Sequence, residues 1–373
     1  MVGGQAEDSD AVLSKIAHEL SPNAGKFRVL RRSDRDRSTV AAVEFDTAAG
    51  ASQPAWVKIR HDRGLAPTVH SRQRPRLTPL PDDTSDGALL EFRGLVHTQR
   101  AVAGSGLDWM HAVRPLACIP EDGTVVMELM AQETVKHRLR HLGATARGAS
   151  AEQVVATIGH HAGRWLREYQ STAWDDEPRH GRPDSIGAAL EKLDEMQAYL
   201  RRQGVDAHLL SEISARAVSA AEESSDRWVL VPCHGDFSPR NVLYRDPGDL
   251  WVIDPMPRWS VPPWEDLARF RFEAQVLLES RYPSVLGGSQ LGAQLQRALV
   301  RGYAGDDGIP GPHAVLVEAL VLLDGWCALA ARRASTLSET GARLALRNRV
   351  YALALHRISR DWVRDTSSHR GAA

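Results

Sequence analysis

VPCHGDFSPRNVLYRDPGDLWVIDP, residues 231–255, decides how this chain is read. After His234-Gly235-Asp236 come Asn241, five residues past Asp236, and Asp254, eighteen residues past it. Val242 to Tyr244 and Leu250 to Ile253 are apolar, strand-like runs. The RDPGD between them, Arg245 to Asp249, carries the Pro and Gly that favour a turn. The pattern predicts a hairpin with Asn241 at the start of one strand and Asp254 at the end of the other. Two oxygen donors then converge although thirteen residues separate them. A hard cation such as Mg²⁺ takes a sparse oxygen shell of this kind, completed by water and substrate phosphates. Asp236 precedes the hairpin on a loop stiffened by Pro239, near such a metal without being an obvious ligand. That placement suits a base that orients a hydroxyl nucleophile.

The remainder of the chain sets the bounds. With 373 residues, 43% hydrophobic content and a formal net charge of -1, it has the composition of an ordinary globular protein, long enough for two lobes sharing a cleft. No global charge favours nucleic acid as a partner. The N-terminal MVGGQAEDSDAVL lacks the basic and apolar regions of a secretory leader, so a cytoplasmic location is expected. The longest apolar run, 314–330, is interrupted by Glu318 and Asp324, which suits a buried core helix better than a membrane span. Cys118, Cys233 and Cys327 are far apart and form no CxxC pair, so neither a disulfide framework nor a zinc site is indicated. Of 46 basic residues only Lys15, Lys26, Lys58, Lys136 and Lys192 are lysine, which makes a lysine at any one site informative.

Along the chain, residues 7–20 have apolar positions at helical spacing, with Ser9 or Asp10 as cap. FRVLRR (27–32), STVAAVEFD (38–46) and AWVKIR (55–60) read as an antiparallel meander, with a polar turn around Ser33 to Arg37. Residues 61–87 are rich in Pro, Arg, Ser and Asp without a periodic apolar face and read as a mobile loop. Helical period returns over 88–102, HAVRPLACI (111–119) and GTVVMELM (123–130) read as two more strands, and the chain from 131 is almost wholly helical apart from the segment quoted above. Strands first and helices after predict an α+β chain. Its parts are an N-terminal helical extension (1–25), a small β-rich lobe (26–130, with the insert 61–87) and a larger, mainly helical lobe (131–373).

HGDFSPRN resembles the catalytic loop of protein-kinase-like phosphotransferases, specifically the aminoglycoside phosphotransferase and choline kinase group, where His-Gly-Asp replaces the His-Arg-Asp of protein kinases. The resemblance implies a bilobal protein-kinase-like fold with ATP and Mg²⁺ as cofactors. It makes Asp236 the catalytic residue, His234 a support for its loop, and Asn241 and Asp254 the metal ligands. Asp266, in WEDLARF twelve residues beyond Asp254, matches the group's second, structural aspartate. Such a fold needs a lysine on its third strand for the α and β phosphates and a glutamate on the following helix to orient it; Lys58 and Glu91 stand at those places. TVVMELM resembles the strand running into the hinge, which implies that the Glu128 carbonyl and the Met130 amide bond adenine. This sequence departs from the group's pattern in three ways: RRSDRDRST (31–39) has no glycine, Pro255 replaces the usual aromatic after Asp254, and 33 residues separate Lys58 from Glu91.

The implied activity is transfer of the ATP γ-phosphoryl group to a hydroxyl of a small molecule, such as a sugar, an antibiotic or a related metabolite. Eleven residues between Asp254 and Asp266 are too few for the segment with which protein kinases dock a peptide. The acceptor pocket is then built from helices within 150–230 and 270–365. GRWLREYQST (163–172) and DGWCALAARR (324–333) carry groups that could line it, although core packing of their Trp and Tyr is the plainer reading. Arginines outnumber acidic residues from 281 onward, and Arg332, Arg333, Arg343, Arg347 and Arg349 fall close together. That cluster either forms solvated helix faces or favours a neutral or anionic acceptor over a polycationic aminoglycoside. Two alternatives are a nucleotide-binding pseudokinase that regulates a partner and a kinase of cell-envelope lipid-sugars. No anchor helix supports the second.

Overall fold

The structure is a computed structural model. It describes residues 12, 15–16, 27–35, 38–46, 52–61, 74–78, 84–145, 149–174, 183–224, 228–257, 259–282, 288–305, 311–334 and 341–364.

The meander forms as expected. β1 (Phe27–Arg35), β2 (Ser38–Asp46) and β3 (Ser52–Arg60) pair antiparallel, and the sheet continues through β6 (Thr124–Glu128) to β5 (Pro115–Ile119), in the order β1-β2-β3-β6-β5. Strand alternation gives the sheet two packed faces. Ala55, Val57 and Ile59 of β3 join Ile16, Ala41, Val43, Phe45 and Val126 in one core, which is where the N-terminal helical residues Val12 and Ile16 contribute. Lys15 between them pairs with Asp122 at 2.7 Å, and the rest of the expected 1–25 extension lies outside the described residues. On the other face Trp56, Val125 and Met127 pack with Ala88 and Leu95 of α1 (Thr84–Ser105) and with Leu243 and Trp251. That second core ties the sheet to the hairpin singled out above.

The hairpin is β9 (Val242–Arg245) and β10 (Asp249–Val252), paired antiparallel with Val242 opposite Val252. It is the centre of a four-stranded sheet completed by β4 (Met110–Ala112), parallel to β10, and by β7 (Glu133–Thr134). A short pair, β8 (Val231–Pro232) with β11 (Ser260–Val261), closes the loops at either end of the motif. Around them stand α2 (Val135–Thr145), α3 (Ala149–Ser171), α4 (Ile186–Arg202), α5 (Ala207–Glu222), α6 (Trp264–Arg281), α7 (Gly288–Ala304), α8 (Gly311–Ala334) and α9 (Gly341–Arg364). Polar residues fix the helix starts: Ser185 Oγ accepts from the Ala188 N–H at 3.3 Å, and Asp206 accepts from His208 N–H at 2.9 Å. By length and composition α8 could cross a membrane, but it is buried among α4, α5, α6 and α9. Its two acidic residues are partnered inside, Glu318 by Arg271 and by Trp362 Nε1, and Asp324 by Arg74 and Arg269.

Three details differ from the sequence reading. HAVRPLACI is two strands in two sheets, because Pro115 has no N–H to continue a ladder and instead begins β5. β1 continues through Arg35, so Ser33 to Arg35 are strand residues facing Val40, Thr39 and Ser38, and not a turn. Of the loop expected over 61–87, residues 84–87 are the first turn of α1. Residues 74–78 hold fixed contacts, with Leu77 buried, its N–H donating to Asp324 at 3.2 Å, and Arg74 paired with the same carboxylate at 3.3 Å. An apolar side chain flanked by two polar contacts ordered this piece where composition alone predicted none. Residues 62–73 and 79–83 lie outside the described residues.

Candidate active site

The loop 233–241 is held from below by a carboxylate. Asp266, buried in the first turn of α6, accepts from the His234 N–H at 2.6 Å and from the Gly235 N–H at 3.1 Å. Burial, with Glu265 beside it, pushes the Asp266 carboxyl up to about 6, while those two backbone donors favour its ionised form. Gly235 has φ of 82° and packs on the Met256 carbonyl, 2.6 Å from where a Cβ would stand, so only glycine fits. The Met256 N–H in turn donates to the His234 carbonyl at 2.7 Å. The His234 ring is fully buried among Trp165, Tyr169 and Phe237, and burial drives its pKa down to about 4, so it is a neutral imidazole. Trp165 and Tyr169 are thus the core beneath the loop and do not line a pocket.

Asp236 is directed outward and half-exposed. Asn241, five residues on, donates its Nδ2 to the Asp236 carbonyl and to Asp236 Oδ2, both at 2.9 Å. The Asn241 carbonyl accepts the Ile253 N–H at 2.9 Å, which sets the start of β9 beside the residue preceding Asp254. Asp254 itself has φ of 58°, a left-handed conformation uncommon outside glycine, and it is held there by a salt bridge.

That salt bridge reaches across the cleft. Lys58 Nζ on β3 stands 2.9 Å from Asp254 Oδ1 and 3.0 Å from Glu91 Oε1 on α1. Glu91 is fully buried and its other oxygen is paired with Arg60. Burial opposes ionisation of Asp254, but the Lys58 ammonium and the nearby Arg60 hold its carboxyl well below the usual range. Lys58 and Arg60 lie two residues apart on the strand face that looks at α1, opposite the Val57 and Ile59 core.

The donors near Asp254 fit a hard cation. With its amide nitrogen committed to Asp236, Asn241 has its Oδ1 to offer, and Asp254 has Oδ2 beyond the lysine; an oxygen-only pair suits Mg²⁺ or Ca²⁺ and not a soft metal. Among the described residues no three His, Cys, Asp or Glu side chains gather as a self-sufficient metal site, so a cation here would take its remaining ligands from water and phosphate. Glu128 and Met130 stand where β6 leaves the small sheet. The Glu128 carboxylate accepts the Arg114 N–H at 3.0 Å, and the Met130 carbonyl accepts Trp56 Nε1 at 3.5 Å.

The sequence reading missed Arg60 and Arg240. Arg60 was legible as the next residue on Lys58's face of β3. Arg240, inside the motif itself, places Nη2 at 2.8 and 2.9 Å from the two oxygens of Asp236. Its four-residue spacing from Asp236 was visible, but no helix joins them to make that spacing meaningful.

A small five-stranded sheet with α1 against it, a hairpin carrying Asn241 and Asp254 and a helical lobe make this a protein-kinase-like fold, shared with small-molecule kinases and phosphotransferases of known structure. The chain superposes on the macrolide 2'-phosphotransferase MphH from Brachybacterium faecium with a TM-score of 0.51 at 16% identity, over 94% of this chain and 98% of that one. For a glucosamine kinase in complex with glucosamine, ADP and inorganic phosphate the values are 0.50, 14%, 92% and 96%. For an amicoumacin kinase in complex with AMP-PNP, Ca²⁺ and Ami they are 0.50, 12%, 100% and 98%. No family model and no curated protein matches the chain by sequence.

Proposed function

We propose that the protein transfers the γ-phosphoryl group of ATP to a hydroxyl of a small molecule. The observation that carries this reading is the convergence of Lys58, Glu91 and Asp254 from β3, α1 and the end of the hairpin, with Lys58 within 3.0 Å of both carboxylates. In this reading Asp236 accepts the hydrogen bond of the acceptor hydroxyl and takes its proton as the new O–P bond forms and ADP departs. Lys58, oriented by Glu91, neutralises the α and β phosphates, while Asn241 and Asp254 would hold the divalent cation. When bound, that cation offsets phosphate charge. His234 and Asp266 keep the loop in shape, and the Glu128 carbonyl and the Met130 amide would bond adenine. Neighbours holding ADP, or AMP-PNP with Ca²⁺, support the nucleotide and divalent-cation part of this reading.

The test is ATP-dependent gain of one phosphate across a panel of sugars, antibiotics and polyols, read by mass, with Asp236→Asn in parallel. Asp236→Asn is expected to lower turnover by about 10² to 10⁴ while leaving Mg-ATP affinity near wild type, because it removes a base and spares the metal ligands. A variant that keeps most of the wild-type turnover would refute the assignment.

A further inference from the structure

A cavity of about 330 Å³ lies beside the catalytic loop, walled by α2, α6, α8 and α9. Its apolar side includes Phe272, Val276 and Leu329. Its polar side holds six cations, Arg74, Lys136, Arg140, Arg240, Arg269 and Arg332, against two carboxylates, Glu273 and Asp324. Asp324 is already shared by Arg74 at 3.3 Å and Arg269 at 3.6 Å, and Glu273 lies 3.9 Å from Arg240. A cationic guest would therefore meet net positive charge and no uncommitted carboxylate among these residues.

Arg240 belongs to this cavity and to the catalytic loop at once. Its Nη2 covers both oxygens of Asp236, and Asn241 Nδ2 takes Oδ2 as well. A carboxylate whose two oxygens are both taken in this way has little room for an acceptor hydroxyl. A guanidinium, however, pairs equally well with a planar carboxylate or a phosphate, so an oxyanion in the cavity competes directly for it.

Resting on the phosphotransferase reading above, we propose that this cavity takes the acceptor through an oxyanion, and that Arg240 is the residue that selects it. Arg240 leaves Asp236 for the acceptor's phosphate or carboxylate and thereby frees the base only when an anionic hydroxyl compound is present. A neutral sugar leaves the pair closed, and a polyamine is repelled.

The experiment is calorimetric titration of the protein, saturated with Mg-ADP so that the nucleotide phosphate site is filled, with glucose 6-phosphate, gluconate, glucose and kanamycin. At least one anion is expected to bind about tenfold or more tighter than glucose, the worth of a charge-assisted hydrogen bond. The two anions together show whether phosphate or carboxylate is preferred. Arg240→Gln should abolish that preference, and Arg332→Gln, at an exposed position, should weaken it by a few-fold. Glucose or kanamycin binding as tightly as both anions, an anion preference untouched by Arg240→Gln, or no binding by either anion up to about 10 mM overturns the inference. The preliminary Mg-ADP titration separates the two readings. Failure to bind nucleotide overturns the proposed function itself, whereas nucleotide binding without anion preference overturns only the acceptor class.

Discussion

Gly94 sits one turn after Glu91 on α1, against the two prolines that follow Asp254. A Cβ at Gly94 would stand 2.8 Å from Pro255 Cγ, 2.9 Å from Pro255 Cβ and 2.9 Å from Pro257 Cδ. Carbon atoms rest about 3.5 to 4.0 Å apart, and a proline ring cannot swing aside, so Gly94→Ala must part α1 from the Asp254 segment by about 1 Å. Such overpacking costs about 1 to 3 kcal/mol, against which alanine returns about 1 kcal/mol of helix propensity, so the net loss of stability is about 0 to 2 kcal/mol. Function suffers more. Lys58 spans Glu91 at 3.0 Å and Asp254 at 2.9 Å, so a 1 Å separation breaks one of those contacts, and misplacement on that scale lowers rates by about 10²-fold. The assay is ATP turnover with Mg-ATP titration and thermal denaturation. Gly104→Ala is the control, on the same helix, where an added Cβ has no neighbour within 4 Å. Gly104→Ala should match wild type. Wild-type turnover in Gly94→Ala, or equal losses in both variants, would refute the reasoning.

Asp254→Ala should reduce Mg-dependent nucleotide binding more than Asn241→Ala, since a carboxylate supplies charge as well as an oxygen; equal and negligible effects in Mg-ATP calorimetry would contradict the proposed cation site. Acid stability tests the buried loop supports. The His234 pKa falls from 6.5 to about 4 in the fold, so the unfolded chain gains a proton first as pH drops through that window, and the native state loses about 3 kcal/mol. The Asp266 pKa rises from 3.8 to about 6, so there the native state gains the proton first and about 3 kcal/mol of stability between those values. The two nearly cancel in wild type. Asp266→Asn should therefore lose stability more steeply than wild type from pH 6.5 to 4 in urea denaturation, and His234→Gln less steeply; unchanged pH slopes in both would reject these assignments.

The motif at 231–255 was legible because its geometry is local. A turn-forming RDPGD between two apolar runs fixes the register of β9 and β10, and register fixes which residues stand at the open ends. Lys58 was legible from strand alternation and from the scarcity of lysine, and α8 from an apolar run with two charges inside it. Composition carried less. It read 74–78 as part of a loop, yet Leu77 and Arg74 dock on Asp324, a contact that no local pattern announces. It read HAVRPLACI as one strand, because parallel pairing of β4 with β10 depends on a hairpin more than a hundred residues further along the chain. The arginine cluster is plain in the sequence, but only the folded chain shows Arg332 lining the cavity, in company with Arg74, Arg140 and Arg269 from other segments, and shows Arg240 covering Asp236. Spacing within a turn or along a strand follows from backbone geometry over a few residues. Contacts such as Lys58 with Asp254, 196 residues apart, exist only after packing has chosen which faces meet, and that choice is made by the close fit of whole surfaces.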